Sequence, residues 1–253
     1  MKLGLVGLAL CAVTACSQSF EPETTEDQAA AIYGGTDSTR QSVVGFVTAS
    51  GASDATVYCS GTVIKQSGTQ AWVVTAGHCG VTSGSAGDWI LVRSTSDRYF
   101  QVASSVVHPD FKGVGSYDTK HDIQVAKVSV TDGSTLKTLA LTGTDDDVSL
   151  SADITLVGWG VTDRLDIAGF WSREGRHKLD TNVRLYDSNT ISWNNTTSAG
   201  TCYGDSGGAV IRNERLVGVI SGERVTTAAC GGLGYGVGLR MKSVRDWVLD
   251  QLN

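Results

Sequence analysis

Ser206 stands in Cys202-Tyr203-Gly204-Asp205-Ser206-Gly207-Gly208, a stretch able to present a hydroxyl to an incoming carbonyl. A serine hydroxyl is a poor nucleophile unaided. It needs a base to take its proton, a group to orient that base, and donors for the oxyanion that forms. Glycines on both sides let backbone N–H groups approach a substrate without side chains in the way. The same residues also make an ordinary surface turn, so the partners decide.

The base should be a histidine, and His78, His108, His121 and His177 all precede Ser206 in the chain. His78 ends the run Val73-Val74-Thr75-Ala76-Gly77-His78-Cys79, where an apolar strand turns. Such a place suits a positioned base and suits a polar turn residue equally. The orienter should be a carboxylate that becomes buried. Asp122 heads Asp122-Ile123-Gln124-Val125-Ala126-Lys127-Val128, whose apolar positions read as a largely buried strand. It is either a cap at the strand's start or the group that fixes the histidine tautomer. Asp110 and Asp118 lie in more polar loops and are weaker candidates. The pattern Gly204-Asp205-Ser206-Gly207-Gly208 also fits the nucleophile elbow of α/β-hydrolases, but that fold places its histidine after the serine. The chain order removes it.

Positioning these groups falls to a β-rich chain. Short runs bounded by turn residues recur at 43–48, 55–63, 71–76, 89–93, 100–107, 122–130, 152–158, 183–186, 208–212, 216–221 and 234–239, the spacing of a sandwich or barrel. No internal repeat of similar sequence is visible. Helix is confined to Met241–Leu252, where Val244, Trp247, Val248 and Leu252 form one apolar stripe. With 253 residues the chain can bury a sizeable core as one all-β unit. A net charge of −6 argues against nucleic acid as a partner.

The first residues read differently. Met1-Lys2 and the apolar run Leu3 to Val13 form a signal peptide over 1–15, too short to span a bilayer. Val13-Thr14-Ala15-Cys16 looks like a lipobox, so the one route to a membrane is a lipid on Cys16; cleavage after Ala15 by ordinary signal peptidase also fits. Residues 16–31 are polar and acidic, the composition of an unfolded pro-segment. The ordered domain should occupy 32–253 in a secreted or extracytoplasmic protein, the compartment that its cysteine usage suits.

Over 32–253 the sequence resembles the trypsin/chymotrypsin-like serine proteases. The markers are Ile32-Tyr33-Gly34-Gly35, Cys59-Ser60-Gly61-Thr62-Val63-Ile64, Thr75-Ala76-Gly77-His78-Cys79, His108-Pro109-Asp110-Phe111, Asp122-Ile123, Gly158-Trp159-Gly160, Gly204-Asp205-Ser206-Gly207-Gly208 and Val219-Ile220-Ser221-Gly222. The resemblance implies two antiparallel six-stranded β-barrels with a C-terminal helix and a catalytic site between the barrels. It implies that His78 takes the proton of Ser206 as the serine attacks a peptide carbonyl, that Asp122 stabilises the imidazolium, and that Gly204 and Ser206 N–H groups bind the oxyanion. Ser221 then supports Asp122 and pairs with the substrate strand. The disulfides implied are Cys59–Cys79 and Cys202–Cys230. Asp205 would receive the α-ammonium of Ile32 after an activating protease cuts behind Ala31, making the chain a zymogen. Protein or peptide substrates follow; no cofactor or metal is implied.

Two places depart from the family pattern. Gly200 stands where trypsin has its pocket-floor aspartate, and Gly222 where a tryptophan is usual. Thr201, Gly222, Glu223 and Gly236 fall along the specificity pocket, with Glu223 either attracting a basic side chain or facing solvent, so no side-chain preference is assigned. Ala31 before Ile32, in place of Lys or Arg, points to an activator that prefers small residues. The competing reading is a binding protein on an inactive protease scaffold, which such proteins usually reach by losing a triad member.

Overall fold

A computed structural model describes residues 32–48, 55–84, 87–113, 120–143, 148–162, 175–186, 190–224, 230–239 and 242–253. The stretches expected to form a signal peptide, a lipid-bearing Cys16 and a pro-segment therefore lie outside the described residues.

The first strand among the described residues is the two-residue β1 (Thr36–Asp37). Then come β2 (Val43–Val47), β3 (Val57–Ser67), β4 (Gln70–Thr75), β5 (Trp89–Arg93), β6 (Asp97–Val107) and β7 (Gln124–Ser129). These six close into an antiparallel barrel in the order β2-β3-β4-β7-β6-β5. The second half contains β8 (Asp153–Gly158), β9 (His177–Asn182), β10 (Leu185–Tyr186), β11 (Thr190–Asn194), β12 (Ala209–Arg212), β13 (Arg215–Arg224) and β14 (Leu233–Gly238). With β1 they form an eight-stranded barrel-like sheet, ordered β1-β9-β8-β12-β13-β14-β11-β10. Its two shortest strands, β1 and β10, are additions at its edges to the six expected. The helix α1 (Lys242–Asp250) follows and buries Val244 and Val248.

Alternation of side chains explains how the halves meet. Successive residues of a strand face opposite sides. On β2 and β4, Val44, Phe46, Ala71 and Val73 fill the first barrel. Their neighbours Val43, Val47, Trp72 and Val74 point the other way, into a cluster shared with Val157, Trp159, Ala209 and Ile211 of the second half. Strands buried on both faces lose the polar alternation of a solvent-facing sheet, which is why these runs read as continuous Val-rich stretches. A third cluster, containing Ile32, Leu156, Ile191, Trp193, Val210 and Ile220, fills the second sheet.

Two local departures from the expected strands shape the site. Strand β7 begins at Gln124, two residues later than the apolar pattern suggests, so Asp122 lies in the connection ahead of it. Strand β13 continues past Ser221 to Arg224, and its register against β14 shifts between Ile220 and Gly222. Ser221 is thus the extra residue of a bulge, a device that re-aims side chains at sheet edges and sites.

Candidate active site

The chain leaves β4 at Thr75 and makes a single 3-10 turn, Gly77–Cys79, closed by Gly80 in the left-handed region at φ 61°. His78 projects from that turn. Its backbone N–H donates to Asp122 Oδ1 at 2.7 Å, and its Nδ1 lies 2.7 Å from Asp122 Oδ2. A carboxylate only accepts, so Nδ1 carries the proton and Nε2 is left as the basic nitrogen. Ser221 Oγ, carried by the β13 bulge, donates to the same Oδ2 at 2.5 Å. Asp122 is buried, its side chain 6% exposed, whereas His78 is 29% exposed and lines the cleft. Two bonds to one histidine fix both the ring and the backbone beneath it.

Ser206 lines the same cleft from a turn of the second half. Its Oγ donates to the Ser221 carbonyl at the limiting distance of 3.5 Å, not to His78. Its own carbonyl accepts the Ser60 N–H of β3 at 2.7 Å, which ties the nucleophile's backbone to the first barrel. Gly207 permits that approach. Its φ is 85°, and a Cβ there would lie 2.1 Å from both Ser60 O and Thr75 Oγ1. Among the described residues no acceptor takes the N–H of Gly204 or of Ser206. Two unspent donors beside a hydroxyl are what a developing oxyanion requires.

Disulfides hold both sides. Cys59–Cys79 joins β3 to the His78 turn, and Cys202–Cys230 joins the serine turn to the segment before β14.

Asp205 is fully buried. Oδ1 accepts from Gly160 N–H at 2.8 Å and Oδ2 from Cys202 N–H at 2.9 Å. Burial pushes its carboxyl up to about 7, with the charge of Glu223 adding to the rise, while the two N–H bonds pull it down. Ile32 is also fully buried, in the core of the second sheet.

Of the residues assigned to the specificity pocket, Thr201, Ser221, Gly222 and Glu223 line the cleft. Gly200 lies elsewhere: its N–H donates to Tyr33 O at 2.9 Å, and a Cβ would meet Tyr33 Oη and Asn195 Oδ1 at 2.5 Å. Gly236 is packed within β14, where a Cβ would come 2.5 Å from Val219 O, and the neighbouring Tyr235 supplies the wall.

Two residues to which the sequence assigned no role belong to the same arrangement. Ser60, fully buried, donates from Oγ to Gly204 O at 2.8 Å and accepts the Trp159 N–H at 2.9 Å. A small hydroxyl inside an apolar strand was its only signal. Asn195, just beyond β11, takes the Thr201 N–H on Oδ1 at 3.0 Å and gives Nδ2 to Glu223 Oε2 at 2.8 Å. The other histidines have packing partners: His108 lies against the rings of His121 and Trp247, and His177 pairs with Asp37 across β1 and β9.

The chain is similar to several known proteins. The family model described as Trypsin matches residues 32–248. Trypsin 5G1 of Aedes aegypti is 26% identical over 208 residues, covering 76% of this chain and 74% of that protein. Ovochymase of Halocynthia roretzi is 26% identical over 219 residues, and this chain spans only 13% of its length, from 78% of its own. Among solved structures, one titled as that of GrC superposes with a TM-score of 0.66 at 16% identity, covering 86% of this chain and 97% of that one. Neuropsin, a serine protease expressed in the limbic system of mouse brain, gives 0.65 at 18% identity, over 85% and 96%.

Proposed function

Since the chain belongs to the trypsin family and is a trypsin-like serine endopeptidase, we propose that it cleaves peptide bonds through Ser206, His78 and Asp122. The observation that carries this assignment is the double bond-pair from His78 to the buried Asp122, which leaves Nε2 facing the cleft that Ser206 also lines. Attack by Ser206 Oγ on the substrate carbonyl sends its proton to Nε2. Asp122 stabilises the imidazolium without taking the proton itself. The N–H groups of Gly204 and Ser206 receive the oxyanion, worth about 3–4 kcal/mol per donor. His78 then protonates the leaving amine, and water activated by the same histidine releases the acyl group.

The chain is made as a zymogen and is switched on by a cut before Ile32. Three observations support this. Ile32 is buried to the last atom beside the second core. Its φ of 56° places a β-branched residue in the left-handed region, a strain on the order of 1–3 kcal/mol that cutting the preceding bond relieves. Asp205 is a buried carboxyl with N–H partners and no cation among the described residues, which a new α-ammonium would complete. The two disulfides suit an oxidising, extracytoplasmic setting.

A fluorophosphonate probe tests the reading. Activated protein should bond it covalently at Ser206, and Ser206→Ala should take up none. An intact, folded sample activated before Ile32 that stays unlabelled, with no peptide cleaved, would favour an inactive scaffold.

A further inference from the structure

The cleft beside Ser206 has a volume of about 510 Å³, and among the described residues that line it Glu223 is the one acidic side chain. The family's usual floor position offers no charge here, because Gly200 is sealed off against Tyr33 and Asn195. Glu223 enters from the wall, two residues past the β13 bulge.

Its surroundings are built. Asn195, itself 8% exposed, donates Nδ2 to Glu223 Oε2 at 2.8 Å, and Gly231 N–H donates to the same oxygen at 3.2 Å. Asn195 is in turn locked by the Thr201 N–H and carbonyl. The carboxylate is therefore held on one oxygen by a fixed amide and a backbone donor. A carboxylate accepts about four hydrogen bonds, and those two together with a bond from the Gly232 backbone still leave it with spare capacity. Among the described residues no lysine or arginine pairs with it. Burial holds its pKa above the ordinary glutamate range, against the lowering effect of Gly231, Asn195 and Gly232. An uncompensated, partly buried carboxylate in a cleft is an unfavourable arrangement for an empty protein and a favourable one for a cation. The cleft that Glu223 shares with Ser206 also has apolar lining, from Cys202, Ile220 and the Tyr235 ring. Apolar walls ending in a fixed carboxylate match a methylene stem ending in an ammonium or guanidinium.

We propose that Glu223, braced by Asn195, is the residue that selects substrates with a lysine or arginine side chain in this cleft. The assignment rests on the protease reading above, since it takes Ser206 as the point of cleavage. Recognition thus comes from the strand that also carries Ser221, and the pocket floor has no part in it.

The test separates the two readings by using binding and cleavage independently. Calorimetric titration of full-length Ser206→Ala protein with benzamidinium, and with neutral benzamide as its isostere, reads the cation preference without any catalysis. The expected result is at least tenfold tighter binding of benzamidinium, reduced about tenfold or more in a further Glu223→Gln change, with benzamide unaffected. Glu223→Ala serves as a second variant should the glutamine distort the wall. On activated protein with Ser206 intact, peptides carrying Arg, Lys or norleucine before the scissile bond should show about 30-fold higher kcat/KM for the basic pair. Glu223→Gln should erase that ratio by lowering cleavage of the basic pair. Equal binding of benzamidinium and benzamide, or a cation preference that survives in both Glu223 variants, overturns the proposal. Cation-selective binding in protein that never reacts with fluorophosphonate overturns the protease reading and leaves Glu223 as a cation site.

Discussion

His78 and Asp122 hang from a barrel whose six strands close on themselves, whereas Ser206 hangs from a sheet extended at its edge by Thr36–Asp37. In the first half every strand finds its neighbour between Val43 and Ser129, and the Asp122 bonds to His78 are local to that unit. In the second half, β1 extends the edge beside β9, Tyr33 bridges Gly200, and Ile32 fills part of the core. The base is therefore positioned mainly by the closed first barrel, with Ser221 of the second half bracing Asp122. The nucleophile, its oxyanion donors and the cleft wall depend on residues at the start of the domain, where the proposed cut falls. Under the proposed activation, this division would place control of activity in the half that carries Ser206.

The sharpest test of the first half is Asp122→Asn. An asparagine would offer an N–H to Nδ1 and favour the wrong tautomer, so kcat should fall about 10⁴-fold while the fold survives. Chemistry measured beside a melting curve checks this; a matching collapse of stability would show that Asp122 is a strand-start cap and the barrel is not self-sufficient.

The second half is probed through Asp205 and pH. In the uncut chain its carboxyl binds a proton up to about 7 when folded, against 3.8 ordinarily. The folded form holds the proton more tightly, so this group's contribution is complete below about pH 4. It is lost as pH rises through about 7, at up to about 1.4 kcal/mol per pH unit. Urea midpoints of the uncut chain between pH 4 and 8 should show that fall, and Asp205→Asn should flatten it. After cutting before Ile32 an adjacent ammonium should lower the pKa and remove the fall. A slope unchanged by cutting would mean that the two groups do not meet.

The smallest effect concerns the tie between the halves. Ser60 Oγ links β3 to Gly204 O and to the Trp159 N–H. Ser60→Ala should lower kcat about tenfold through a loosened oxyanion donor, with KM within about twofold, a smaller loss than removing a donor outright. Steady-state kinetics decide; an unchanged kcat would show that the serine loop is set by the second half alone.

How much of this was legible beforehand varies by element, and the reasons are physical. Strands β2, β4 and β7 were readable because burial on both faces makes them apolar throughout. Strand β9, His177–Asn182, was not, since its sequence HKLDTN has one large apolar residue and its pairing comes entirely from backbone partners on β8 and β1. Thr190–Asn194 escaped as well, being five residues with an interrupted pattern. Residues around Ser206 were found through their order and spacing along the chain. Asn195 and Ser60 act through contacts distant in the chain, such as those 28 residues away to Glu223 and 144 away to Gly204, and no local pattern announces such a contact. Glu223 was visible as a charge near the pocket, but its bracing was not. The continuation of β13 through Gly222 and Glu223 breaks the apolar pattern that would have marked it.

The doubly buried strands also constrain how the molecule can be made. Val43, Val47, Trp72, Val74 and Val125 belong to a core that is finished only by residues from Leu139 onward. As the chain emerges from the ribosome, the first barrel can close while one flank stays bare of its covering. That flank must wait for β8, β12 and α1, which lie about 25 to 120 residues beyond Ser129, at about 5–20 residues of synthesis per second. For those seconds the growing chain presents an adhesive apolar face. A chaperone, or export in an unfolded state, is what the architecture demands until the second sheet arrives to cover it.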